Sequence, residues 1–206
     1  MSLKKFSFLL AGFCLFGYSH SLDLKPSAQF FFPATVSIPK DNKSVSSDRS
    51  WETEYVIEVG IEALFASEFI PMRSGFGLGF RTSQHDEDYE AAPATLPVWG
   101  VLSIGRINWD DFISPYFTLR GGYLTPLSFD EHWWESPANF FFNCGVGAVL
   151  PKGFTVEVSV DYSSMRKSYS DEDISYRVSS LRLGILLGMN IEIKELTNNM
   201  NYGVNE

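Results

Sequence analysis

Few residues of this 206-residue chain combine the types and spacing that chemistry needs. His85 stands beside Asp86, Glu87 and Asp88, a set able to hold a divalent ion weakly. Metal centres generally use three or four ligands at suitable spacing, and a solvated acidic loop accounts for this run more simply. Ser128, Asp130, Glu131 and His132 include the residue types of a lipid-modifying hydrolase or transferase. Such triads are defined by geometry, which nothing in this spacing sets. Glu52 and Glu54, two apart on a strand, would stand about 7 Å apart, overlapping the separation used by inverting glycosidases. Ion pairing with arginines on the same face explains them better. Gly75, Gly77 and Gly79 have the composition of a phosphate loop, but no helix follows, and the motif needs one. Trp133 and Trp134 together suit an aromatic belt at the lipid headgroup level; contact with a partner or ligand is the lesser alternative. No catalytic residue, cofactor or metal is expected.

The elements that would position these residues follow a period of two. From Phe154 to Tyr162, Phe154, Val156, Val158, Val160 and Tyr162 alternate with Thr155, Glu157, Ser159 and Asp161. Alternation this strict puts two chemistries on the two faces of one strand. Trp51–Phe65 repeats it, with Glu52, Glu54, Glu58, Gly60 and Glu62 on the polar face. So does Ser180–Ile191, with Arg182 among its polar positions and Leu186 as an exception. Leu22–Phe32, Met72–Arg81, Ala94–Ile107, Pro115–Leu124 and Ala138–Leu150 complete eight predicted strands. Ala94–Ile107 is the weakest, because both faces are largely apolar and Pro97 removes a ladder donor. If its aliphatic residues face outward, Trp99 points inward, where Gly75, Gly77 and Gly79 would make room for it.

The connections alternate in length. Long polar segments cover 33–50, 82–93, 125–137 and 163–175; short turns cover 66–71, 108–111 and 151–153. Secreted barrels have short periplasmic turns and longer outer loops. With eight strands and both ends periplasmic, every long loop falls on one side.

The first residues supply an address. Lys4 and Lys5 precede an uncharged apolar run, Phe6–Tyr18, followed by small residues at Ser19 and Ser21. This is a secretory signal pattern, with cleavage expected after Ser21. The run is shorter than the roughly 20 residues of a spanning helix. A lipoprotein signal at Cys14 is disfavoured by bulky Phe13. Removing residues 1–21 leaves Cys144 as the only cysteine, so no internal disulfide stabilises the exported chain. Cys144 falls on the apolar face and is expected to be inert. The net charge is −9, which excludes a nucleic-acid role. Aromatic content of 16% suits a barrel with aromatic girdles.

Collected into one interior, the polar faces hold Lys25, Glu52, Glu54, Glu58, Glu62, Arg73, Arg81, Arg120, Glu157, Asp161 and Arg182. Acids and bases nearly balance. An eight-stranded barrel is just wide enough for side chains to fill it, so these charges read as a plug of ion pairs rather than the lining of an open pore. The alternative is a soluble β-domain in which the charges coat the outside.

Three stretches carry a resemblance: Ser114–Tyr123, then Asn143–Ala148 running on to Tyr162, then Tyr176–Met189. By pattern more than identity, most of residues 22–191 resembles the OmpA/OmpX-like outer-membrane β-barrel family. Arg182, Gly184, Leu187 and Met189 look like the assembly signal of that class, although no terminal aromatic follows and a polar tail does. The resemblance implies an all-β, eight-stranded antiparallel up-and-down barrel over 22–191 and a periplasmic tail over 192–206. It also implies a bacterial outer-membrane location, with outer-membrane lipid and the barrel-assembly machinery as partners. The expected role is non-enzymatic: supporting the envelope, or meeting a surface ligand or protein through the outer loops. A small channel or carrier for apolar solutes is the alternative, favoured if Phe31, Trp99 and Phe141 face inward. A lipid-modifying enzyme is the third reading.

Overall fold

The computed structural model describes residues 19–38, 49–52, 54–67, 70–85, 90–105, 112–127, 139–169 and 174–193. Among these residues thirteen strands are formed: β1 (Ser19–Phe31), β2 (Thr35–Ile38), β3 (Arg49–Glu52), β4 (Val56–Ser67), β5 (Met72–Arg81), β6 (Gln84–His85), β7 (Glu90–Ala92), β8 (Thr95–Ile104), β9 (Ser114–Pro126), β10 (Phe140–Val149), β11 (Phe154–Tyr169), β12 (Ile174–Met189) and β13 (Ile191–Ile193). Eight of them make the wall, in the order β1-β4-β5-β8-β9-β10-β11-β12. Each pairs antiparallel with its neighbour, and β12 returns to β1 through Ser27–Phe31 against Gly184–Gly188. Closure leaves none of the eight wall strands as an edge strand, so nearly all of their backbone polar groups are met within the wall, as a lipid environment requires.

Alternation decides the two faces. Val59, Ile61, Leu78, Val98, Val146, Val158 and Leu183 are exposed on the outside, while Glu58, Glu62, Arg81, Arg120, Glu157, Asp161 and Arg182 are buried within. The apolar face therefore points outward, as in a membrane barrel, and not into a soluble core. Aromatic residues gather toward the ends of the outer belt. Phe32 and Tyr55 meet edge to face, and Phe140 packs on Tyr162, at the long-connection end. Phe65 packs on Phe76 toward the other.

Closure is interrupted where the sequence forces it. Pro26 has no N–H to give, and the pairing of β1 with the end of the chain skips Lys25 and Pro26. Asn190 leaves the ladder there and donates its N–H to the Gly153 carbonyl at 2.7 Å. The chain then rejoins β1 as β13, so pairing runs to Ile193, two residues into the segment expected to be a tail. At Pro97 the pairing of β8 with β5 likewise skips from Val98 to Thr95. The tight turn at Pro151–Gly153 takes Lys152 and Gly153 through positive φ (65° and 82°), which lets β10 reverse directly into β11.

Three expected boundaries are corrected. Trp51–Phe65 is not one strand: β3 ends at Glu52 and β4 begins at Val56. Segment 33–50 is not all loop, because β2 pairs with β3 and also lies along β12 at Ser179 and Ser180. Segment 163–175 is mostly strand, since β11 and β12 stay paired from Phe154–Met189 to Tyr169–Ile174. The physical reason is shared. Beyond the lipid belt both faces of a hairpin meet water, so pairing no longer needs an apolar face and alternation fades.

Candidate functional site in the barrel interior

The interior is built in tiers by residues of one parity on each strand. At the short-turn end, Asp23 on β1 meets Arg73 on β5 at 2.7 Å. Above them, Arg120 on β9 is the hub. Its Nε donates to Glu62 Oε1 at 2.6 Å, its Nη2 to Glu157 Oε2 at 3.0 Å, and its Nη1 to Glu157 Oε1 and to Asn143 Oδ1. Two-point contact with a carboxylate is the strong form of this interaction. Lys25 joins the same carboxylates at 3.7 Å (Glu62) and 3.6 Å (Glu157), and lies over the Tyr116 ring. The Tyr116 hydroxyl donates to Glu157 at 3.1 Å. A cavity of about 10 Å³, room for a single water, lies beside Lys25, Arg73 and Tyr116.

The next tier is centred on Arg81 of β5. It donates through Nε to Glu58 at 2.7 Å and through Nη1 and Nη2 to Asp161 at 3.1 and 3.2 Å. Its guanidinium lies between the Phe31 and Phe141 rings, 4.7 and 5.1 Å from their centroids. Arg182 stands directly opposite Asp161 in the β11–β12 register. Asn143, which Arg120 contacts, donates to Ser159 Oγ at 3.3 Å, and Gln29 donates to the same oxygen at 2.6 Å.

Trp99 turns inward, 4% exposed, and its indole N–H donates to Glu62 at 3.0 Å. A side chain at Gly77 or Gly60 would collide with its ring, and one at Gly122 with its Cα and Cβ. Gly79 lies in the same place, but Gly75 does not: it packs against the backbone of Ala63 and Leu64 on β4. The expected role of Gly75 is therefore corrected. Phe141 meets Trp99 edge to face at 6.1 Å, and Leu64, Val101, Leu124 and Met165 complete an apolar cluster around them.

Glu54 departs from the expected set. It lies between β3 and β4 and is exposed, so it takes no part in the interior. The cause is that Glu54 and Tyr55 lie in no strand, since β4 begins only at Val56. Glu52 ends β3, where only the backbone is described. Asp23 supplies the acid the reading from sequence left out, although it shares the parity of Lys25. Among the described residues, the buried charged groups are then Asp23, Glu58, Glu62, Glu157 and Asp161 against Lys25, Arg73, Arg81, Arg120 and Arg182. They balance. Tyr116, Asn143 and Gln29 were legible by the same alternation but carry no charge to draw attention.

Other candidates lie elsewhere. Trp133, Trp134, Ser128, Asp130, Glu131 and His132 fall outside the described residues, as do Asp86, Glu87 and Asp88. His85 sits on β6, where only the backbone is described. No cluster of three metal-ligating side chains occurs among the described residues. Cys144 is half-buried on the outward face of β10.

No protein-family model matches the sequence, and no curated protein does. Among solved structures, the chain is similar to the outer membrane protein OprG from Pseudomonas aeruginosa. Identity is 9%, with 86% of this chain and 98% of that one covered, at a TM-score of 0.48. It is also similar to Neisserial surface protein A (NspA), at 10% identity, with 81% and 96% covered and a TM-score of 0.43. On its own geometry, with a closed wall, an apolar outer belt and a charged interior, the chain is a small eight-stranded antiparallel β-barrel of the membrane-spanning kind.

Proposed function

We propose that this barrel is non-enzymatic and does not conduct, and that it works through its outer surface, supporting the envelope or meeting a partner with its long connections. The observation that supports this is the occupied interior. Arg120 and Arg81 each bind two carboxylates drawn from different strands, and together they tie β4, β5, β9 and β11 across the barrel. Groups held this way resist displacement, because freeing one leaves its partner charged and buried. The five-to-five balance leaves no net charge to draw an ion through. Reconstitution of the refolded chain into planar bilayers tests the reading. The expected result is no discrete conductance; reproducible unitary steps would overturn it.

A second reading, a carrier for apolar solutes, is favoured by one observation. Phe31, Trp99 and Phe141 all face inward, and the nearby β5–β8 pairing is interrupted at Pro97. The rings are nonetheless in use, two of them stacked on Arg81 and the third bonded to Glu62. Uptake of a fluorescent apolar solute into vesicles carrying the barrel would favour this reading over the first.

A further inference from the structure

The cavity toward the short-turn end of the interior lies where closure of the wall is interrupted. Leu22–Leu24 of β1 pair with Ile191–Ile193, and pairing resumes only at Ser27 against Gly188. Lys25 and Asn190 fall in that gap, and both line the cavity. Glu62 of β4 and Thr118 of β9 line it from the other sides. All four are at most 5% exposed. Each keeps hydrogen-bonding capacity that no protein group meets among the described residues. Glu62 gives Oε1 to Arg120 and Trp99, while its Oε2 accepts no hydrogen bond. Asn190 Oδ1 accepts none either, and the Thr118 hydroxyl is unpaired. The Lys25 ammonium has three donors. It gives one to Tyr116 at 3.4 Å, and its carboxylate neighbours stand at 3.6 and 3.7 Å, beyond hydrogen-bond range.

We propose that this cavity is a binding site for one water molecule, held as a fixed part of the closed barrel. The chemistry of the four groups selects the ligand. Lys25 and the Thr118 hydroxyl can each donate a hydrogen bond, and Glu62 Oε2 and Asn190 Oδ1 can each accept one. A water accepts two and donates two, so it meets all four at once. An anion would stand against the Glu62 carboxylate, and a cation against the Lys25 ammonium. A volume of about 10 Å³ holds one water and no larger solute. The position gives the water a role. It ties β1, β4 and β9 to the junction of β12 and β13, beside Pro26, which has no N–H for the ladder. A bridge through solvent there stands in for pairing that the backbone cannot make. The inference is independent of whether the interior conducts.

The test is a crystal structure of the refolded full chain, with bromide and rubidium soaks as anion and cation probes. One density peak is expected in the cavity, within about 2.5–3.2 Å of at least three of Lys25 Nζ, Glu62 Oε2, Thr118 Oγ1 and Asn190 Oδ1. No anomalous signal from either ion is expected there. A dry cavity, or a bromide or rubidium signal in it, would overturn the proposal. Urea unfolding in lipid vesicles gives a second measurement. Thr118→Val and Asn190→Ala each remove one contact to the same water. The midpoint of the double variant should therefore fall by clearly less than the sum of the two single shifts. Thr118→Val combined with Ser163→Ala, whose hydroxyl meets Ser180 at 2.7 Å elsewhere in the interior, should be additive. Additive shifts in the first pair would show that Thr118 and Asn190 share no ligand, and the proposal would fall. Folding is checked by the heat-dependent gel shift. Should a variant lack that shift, the peak in the unaltered chain decides.

Discussion

On β11, Val156, Val158 and Val160 face outward, while Glu157, Ser159 and Asp161 face inward from the same stretch of backbone. The outer row touches lipid, and any side chain of similar polarity would serve it. The inner row is bound to particular partners: Glu157 to Arg120, Asp161 to Arg81, Ser159 to Gln29. One face is held by a solvent and the other by named atoms. The outer face should therefore tolerate changes of shape but not of polarity, and the inner face should tolerate neither.

The largest effect expected is from Arg120→Ala. It leaves Glu62 and Glu157 buried with Lys25 as their remaining cationic partner among the described residues, beside the neutral donors Trp99 and Tyr116, a loss of about 3–5 kcal/mol. Urea unfolding of the barrel in lipid vesicles measures it; a loss near zero would show that water has replaced the network. Val158→Arg, in the middle of the outer belt and 52% exposed, should cost about 2–4 kcal/mol in the same assay, the range for a basic residue at mid-membrane. Val158→Leu should cost far less, and equal costs would break the distinction between the faces. Gly77→Ala should cost less than Val158→Arg, about 1–3 kcal/mol from overpacking against the Trp99 ring. Trp99→Leu in the same chain should recover part of that loss, and if it recovers none, the strain lies in the backbone.

Within the belt, alternation sorted most side chains correctly: Glu58, Glu62, Arg73, Arg81, Arg120, Glu157, Asp161 and Arg182 were all legible as one face. Trp99 was legible too, because a tryptophan on the charged face, next to a strand of alternating glycines, has few other places to go. The reading failed where the solvent changed. Glu54 looked like a continuation of the Glu58–Glu62 row, yet the strand has ended before it. Ser163–Ser175 looked like loop because a hairpin with water on both sides has no periodic reason to be apolar.

The sequence by itself determined the architecture: the period of two, the alternation of long and short connections, and a charge-bearing face distinct from an apolar one. Those features follow from local chemistry repeated along each strand, which any reader of the chain can see. Only the tertiary structure decided the partners. That Arg120 takes Glu62 and Glu157, and Arg81 takes Glu58 and Asp161, depends on the stagger of strands around a closed wall. So does the meeting of Asp23 with Arg73. Parity tells which way a side chain points, but not its height in the barrel, and height is set by a register that exists only once the sheet has closed.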